Sequence, residues 1–225
     1  MPRAHPRPRL GSRGRPEETR TAILQAAVRE FAREGVDGAR TDAIARSAKV
    51  NKALLYYYYR DKDALYGAAL DHVFHERHQC LMRVLAEDVP PGEKLLRYAG
   101  AFFDYLADHP LHRAMVQREM FTLPRRSGMQ RIVKLYMKPM YEELLKVVRD
   151  GIASGVFRPV DPLQFISSMA AVIVHYFGSA PFVKLMTHED PLSPQRLAAR
   201  RAAVLDFLSA ALFRPTALPV EGDDQ

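Results

Sequence analysis

Residues 41–65, TDAIARSAKVNKALLYYYYRDKDAL, gather hydrogen-bond donors at a spacing suited to an anionic surface. Asn51 and Lys52 can donate to phosphate oxygens or to base edges, and Ala53 is small enough to let a groove wall approach. The Tyr56 and Tyr57 hydroxyls suit phosphates, and their rings can meet a thymine methyl. Thr41 and Tyr58 complete the candidate set, with Lys62 at the start of the next helix, where the helix N-terminus itself favours a phosphate. The run of four tyrosines has another use, as aromatic core, and Tyr59, four residues after Leu55, is assigned to it.

These donors need two short helices held at a fixed angle. The spacing predicts one helix from Thr41, an N-cap residue, to Ser47, and a second from the capping Asn51, joined by a tight turn at Ala48-Lys49-Val50. Ile44, Ala45, Val50, Leu55 and Tyr59 lock the pair. A first helix precedes them, with Leu24, Ala27, Val28 and Phe31 on one face and Gly35 at its stop. Asp61 caps a long fourth helix, which Pro90-Pro91-Gly92 closes off. Leu95, Ala99, Phe102 and Leu106 mark helix five, and Pro110 opens helix six. Residues 128–154 form helix seven, which Pro139 should kink or split. Asp161-Pro162 and Ser193-Pro194 are cap-plus-proline pairs that open helices eight and nine. The fold class is all-α, about nine helices. It divides into a disordered basic arm (1–16), a helix-turn-helix module (17–66), a larger helical domain (67–214) and a loose tail (215–225).

Charge placement favours the same segment. The net charge is +7, and residues 1–60 carry thirteen Lys/Arg against six Asp/Glu, whereas the rest of the chain carries twenty of each. Such a field draws in a polyanion, although a solvated basic tail gives the same numbers. A single cysteine, Cys80, rules out an intrachain disulfide and suits a reducing compartment. No charge-free run of about 18 apolar residues is read from the sequence, so no membrane span is expected. Neither a glycine-rich phosphate loop, a nucleophile elbow nor a zinc-protease motif occurs, so no enzyme activity and no cofactor are expected.

This stretch resembles the TetR family of regulators. The likeness lies in Ala22-Ile23-Leu24, Ala26-Ala27, Phe31, Gly35, Thr41, Ile44-Ala45, Ala48, Val50, Asn51-Lys52-Ala53, Leu55-Tyr56-Tyr57, Tyr59, Lys62 and Leu65. Three positions depart from the family pattern: Lys49 stands for its usual glycine, Asn51 for Ser or Thr, and Tyr58 for His. Lys49 is therefore expected at a positive backbone angle. The resemblance implies a cytoplasmic homodimer on a double-stranded DNA operator, acting as a repressor that a small molecule releases. An activator or a partner-binding module stays open, because the sign of control depends on where the operator lies.

Three further expectations follow from the helices. Helix eight is apolar nearly all round and helix nine carries Val204, Leu205, Leu208 and Leu212, so the regions 162–180 and 194–213 are candidates for dimerisation, the alternative being the buried centre of a monomer. Polar groups on apolar faces mark an effector pocket: Arg118, Ser168 and His175, with Phe102, Tyr105, Tyr136 and Met137 around the ligand. Internal pairing of Arg118 and His175 is the alternative. His72, His75 and Glu76 share one face of helix four at metal-ligand spacing; a solvated face is preferred, and no metal is expected.

Overall fold

The computed structural model describes residues 16–122 and 129–213; the arm expected over 1–16, apart from Pro16, and the tail expected from 215 lie outside them. Nine helices form among the described residues: α1 (Pro16–Gly38), α2 (Thr41–Ser47), α3 (Lys52–Tyr58), α4 (Lys62–Leu85), α5 (Pro91–Asp108), α6 (Pro110–Thr122), α7 (129–153), α8 (Pro162–Thr187) and α9 (Pro194–Leu212). The only extended pairing among them is one antiparallel bridge between Phe157 and Phe213.

The helix boundaries have local causes. At Gly35 the backbone turns to φ 71°, which bends α1 three residues before its end. The Asn51 side chain accepts from the Leu54 N–H at 2.7 Å, and Asp61 accepts from Ala64 N–H at 2.8 Å, each satisfying an orphan donor at a helix start. Asp161 accepts from both Leu163 and Gln164 N–H ahead of Pro162. Two expected caps differ. Thr41 is the first helical residue of α2 rather than its cap, which is Arg40 without a side-chain bond, and Ser193 caps α9 by position alone. In α7 the proline acts as expected but upstream of itself. Residues Val133–Met137 widen into a π-helical turn between Met129–Ile132 and Lys138–Ala153, and Pro139 lies in the first turn of the latter. The wider turn removes the i−4 partner that Pro139 could neither bond nor clear.

The chain forms two compact units that interleave in sequence. The first comprises residues up to Glu76 and 109–133. Its core joins Ile23, Ala27 and Phe31 of α1 with Ile44, Leu55, Leu65, Tyr66 and Met115, all buried. Phe31 and Tyr66 meet edge to face at 5.0 Å, and the Tyr66 hydroxyl donates to Glu119 at 2.6 Å. The second unit comprises residues 77–108 and from 134 onward. Here Phe103 and Leu106 of α5, Leu144 and Val148 of α7, Phe165, Met169 and Ile173 of α8, and Val204 and Leu208 of α9 form one cluster. Each large side chain so buried stabilises by roughly 1.5–3 kcal/mol.

Helix α8 corrects one expectation. It is long and apolar enough to cross a bilayer, since no Asp, Glu, Lys or Arg falls between Asp161 and Lys184. Two apolar faces produce that composition. Phe165, Ile166, Met169, Ile173, Phe177 and Ala180 face the core, while Leu163, Phe182, Leu185 and Met186 are exposed.

Candidate functional site

The turn between α2 and α3 sets the angle of the donor-bearing helix. The N–H of Val50 reaches back to Ala45 O at 3.0 Å and that of Lys49 to Arg46 O at 3.1 Å, the paired bonds of a Schellman closure. That closure needs a left-handed residue, and Lys49 supplies it at φ 56°, in agreement with the expected positive angle. Ile44, Ala45, Leu55 and Tyr59 are buried beneath the turn, and Lys52, Ala53, Tyr56 and Tyr57 are exposed on the opposite side of α3.

Most of these exposed groups are already oriented by a neighbour. Lys52 Nζ lies 2.9 Å from Asp42 Oδ1. That contact lowers the Asp42 pKa and raises that of Lys52, first through the hydrogen bond and then through the charge. Both groups are solvated, so the pair can exchange for a phosphate. Thr41 Oγ1 and Tyr56 Oη are 3.3 Å apart, tying the start of α2 to α3. Tyr57 is 81% exposed and meets the ring of Tyr58 edge to face, at 5.4 Å between centroids. Asn51 uses its amide oxygen as the cap and keeps its NH₂ as a donor. Tyr58 and Lys62 are turned elsewhere. The Tyr58 hydroxyl donates to Pro16 O at 3.3 Å, and Lys62 Nζ donates to Asp37 O at 3.2 Å and Ala39 O at 3.4 Å, where it holds the carbonyls at the end of α1.

The residues expected around an effector fall in both units, at exposed as well as buried positions. Arg118 belongs to the first unit and is exposed; its guanidinium donates to Arg33 O at 3.0 Å, a carbonyl freed by the bend at Gly35. A Cβ on Gly35 would lie 2.7 Å from Arg118 Nη1, the movable end of an exposed side chain, so it is the backbone angle that calls for glycine there. Ser168 and His175 point away from the core on the outer face of α8, and Met137 is exposed too. Phe102 and Tyr105 are buried on α5, and Tyr136 sits in the π turn, its carbonyl 3.1 Å from His78 Nδ1. Sequence reasoning missed Arg77, a buried cation on the apolar stripe of α4. The signal was present, since Arg77 follows Val73 and precedes Leu81 at four-residue steps.

The histidines regroup across two helices. His72 Nε2 lies 3.3 Å from Glu76 Oε1, and His112 Nε2 lies 3.8 Å from Glu76 Oε2, with His109 packed on His112. His75 is exposed on a different side. Burial, followed by the neighbouring imidazoles, pulls the His112 pKa down against the opposing pull of Glu76. Among the described residues no three His, Cys, Asp or Glu side chains converge as a metal site.

Residues 23–69 match the model of bacterial regulatory proteins of the tetR family, and residues 91–208 that of the tetracyclin repressor-like C-terminal domain. The chain is 30% identical over 174 residues to the HTH-type transcriptional repressor SCO4008 of Streptomyces coelicolor, covering 75% of this chain and 83% of that repressor. Among solved structures, the transcriptional regulator SCO4942 of the same organism superposes with a TM-score of 0.69 at 28% identity, over 88% of this chain and 99% of the other. Transcriptional regulator FadR of Bacillus subtilis, solved with stearoyl-CoA, shares the fold at a TM-score of 0.66 and 20% identity, over 84% of this chain and 97% of its own.

Proposed function

The chain belongs to the TetR family of bacterial DNA-binding transcriptional regulators, and from that premise we propose that it is a repressor reading a near-palindromic operator with α3. The observation that carries this is the division of α3 into a buried side, Leu55 with Tyr59 just beyond its end, and an exposed side of Lys52, Ala53, Tyr56 and Tyr57. Lys52 and Tyr56 reach phosphates once Asp42 and Thr41 release them, Asn51 offers its NH₂, and Tyr57 meets the groove floor. Thr41 acts mainly by holding α2 against α3, Tyr58 by holding α3 against α1, and Lys62 by holding α4 against the end of α1. Tyr57→Ala tests this: it should weaken operator binding at least tenfold with an unchanged melting temperature. Equal binding by the variant overturns the assignment.

The working unit is a homodimer that acts in the cytoplasm. Leu163, Phe182, Leu185 and Met186 on α8 and Phe207 on α9 leave an apolar surface that a second copy covers, with Ser168 and His175 on the same outer side of α8. Two reading helices then meet half-sites about one duplex turn, roughly 34 Å, apart. A small-molecule effector in the second unit favours one spacing of the reading heads and so releases the operator. The FadR structure with stearoyl-CoA supports ligand response on this fold, and the repressor named above supports the negative sign of control.

A further inference from the structure

A cleft of about 330 Å³ opens within the first unit between α1, α2 and the first turn of α6, and no residue of α3 lines it. Arg29 and Arg33 of α1 and Arg46 of α2 stand around it, all three exposed. Arg29 and Arg33 are four residues apart, so they share a helix face on which like charges disfavour each other. Helical spacing offers carboxylates to relieve this, and the fold commits those carboxylates elsewhere. Asp42, four residues before Arg46, takes Lys52 at 2.9 Å. Glu30, three residues before Arg33, lines the cleft, but its Oε1 accepts the Arg40 N–H at 3.2 Å. Among the described residues Arg33 reaches one carboxylate, Glu34 at 3.9 Å, in a solvated pair that a phosphate can displace, and Arg29 and Arg46 form no ion pair. The Arg29 guanidinium instead donates to Ser47 Oγ at 3.2 Å, which joins α1 to α2 and leaves the Ser47 hydroxyl proton as a further donor. Ala26 and Ala43 contribute only methyl groups, which keeps the space open, and the exposed Leu111 adds an apolar wall.

We infer that this cleft is a second ligand site, separate from the effector proposed for the second unit, and that it binds a phosphate monoester of a small alcohol. The phosphoryl group meets Arg29, Arg33, Arg46 and Ser47, and the alcohol part lies against Leu111. Three guanidiniums less the one carboxylate of Glu30 leave a charge of +2, and a phosphate monoester at neutral pH carries about −1.5 to −2. A carboxylate or a sulfate ester brings a single charge. Each guanidinium fork pairs two N–H groups with two oxygens, and a terminal phosphoryl group has three free oxygens to share among three forks. Duplex phosphates are diesters, with one charge and two free oxygens each, and match the cleft less well. Its volume lies at the lower end of the range for small-molecule clefts, about 300–1,000 Å³, so the alcohol part is small.

The test is calorimetric titration of the full-length protein without DNA, at low ionic strength. The probes are phenyl phosphate and glycerol 3-phosphate, with phenyl sulfate as the singly charged match in shape and orthophosphate as the headgroup alone. At least one monoester should bind below about 1 mM, with phenyl sulfate and orthophosphate each roughly tenfold or more weaker. Arg33→Gln and Arg46→Gln should each lose about fivefold or more in affinity for that monoester. Both change exposed side chains, and either one preserves the test if the other fails to fold. Duplex binding is then followed across salt for the wild type and Arg46→Gln, and the slope should be the same in both. No monoester bound below about 1 mM, a smaller margin over phenyl sulfate or orthophosphate, or unchanged affinity in both variants overturns the inference. A salt slope lowered by about one in Arg46→Gln also overturns it, since duplex phosphates then occupy the arginines. None of these outcomes depends on the wild type selecting an operator, so the regulator reading stands or falls separately.

Discussion

Replacing Lys49 by glycine should stabilise the protein, although it removes a surface cation from a cationic region. Lys49 stands at φ 56°, in the left-handed well, because the Val50-to-Ala45 and Lys49-to-Arg46 bonds close α2 through it. A side chain bearing Cβ is disfavoured in that well by roughly 1–2 kcal/mol, and glycine is not. Against this, glycine gains freedom in the unfolded chain worth about 0.4–1 kcal/mol. The net expectation is a gain of about 0.5–1 kcal/mol, or roughly 1–4 °C in melting temperature for a chain of this size. Lys49→Ala is the control, since it removes the same charge and keeps the Cβ. Calorimetric melting of the three proteins in one buffer decides the matter. If Lys49→Gly melts no higher than Lys49→Ala, the backbone argument is wrong and the turn tolerates lysine without strain.

Further outcomes follow from other contacts. Gly151→Ala should cost about 1–3 kcal/mol, because the added Cβ would lie 2.1 Å from ring carbons of the fully buried Phe157; urea titration should show a lower midpoint with an unchanged slope. Burial lowers the His112 pKa below its ordinary 6.5, so folding disfavours its proton; the associated stability is complete above that value and is lost as pH falls through and below it, and His112→Gln should flatten the decline seen in melts between about pH 7 and pH 5. Leu185→Glu and Phe182→Glu change side chains that are 74% and 69% exposed, so each should leave the fold intact and shift sedimentation toward monomer. A folded dimer in either variant would move the interface away from the end of α8.

The helices were legible because their signals are local. Asn51, Asp61 and Asp161 cap through their own following N–H groups, and the apolar repeat of Leu95, Ala99, Phe102 and Leu106 needs no partner to be read. Even the strained turn at Lys49 was visible as a missing glycine. Side-chain destinations were less so, since they depend on neighbours distant in sequence. Lys62 and Arg118 look like free cations until α1 bends at Gly35 and presents Asp37, Ala39 and Arg33 carbonyls to them. Ser168 and His175 look buried on a greasy helix, because an apolar outer face and an apolar inner face read alike in one sequence. The charge-free stretch of α8 is hidden for a related reason, since its serines, glutamine and histidine interrupt the apolar run without adding charge.

Competition between duplexes bears most directly on the central reading, that the outer side of α3 recognises DNA sequence. Genomic fragments retained by the full-length protein should share a near-palindrome, and a duplex carrying it should bind about a thousandfold or more tighter than a scrambled duplex of equal length at physiological salt. Equal affinity for the two duplexes, falling together as salt is raised, would mean that the cationic front of the chain merely attracts phosphate and that α3 reads nothing.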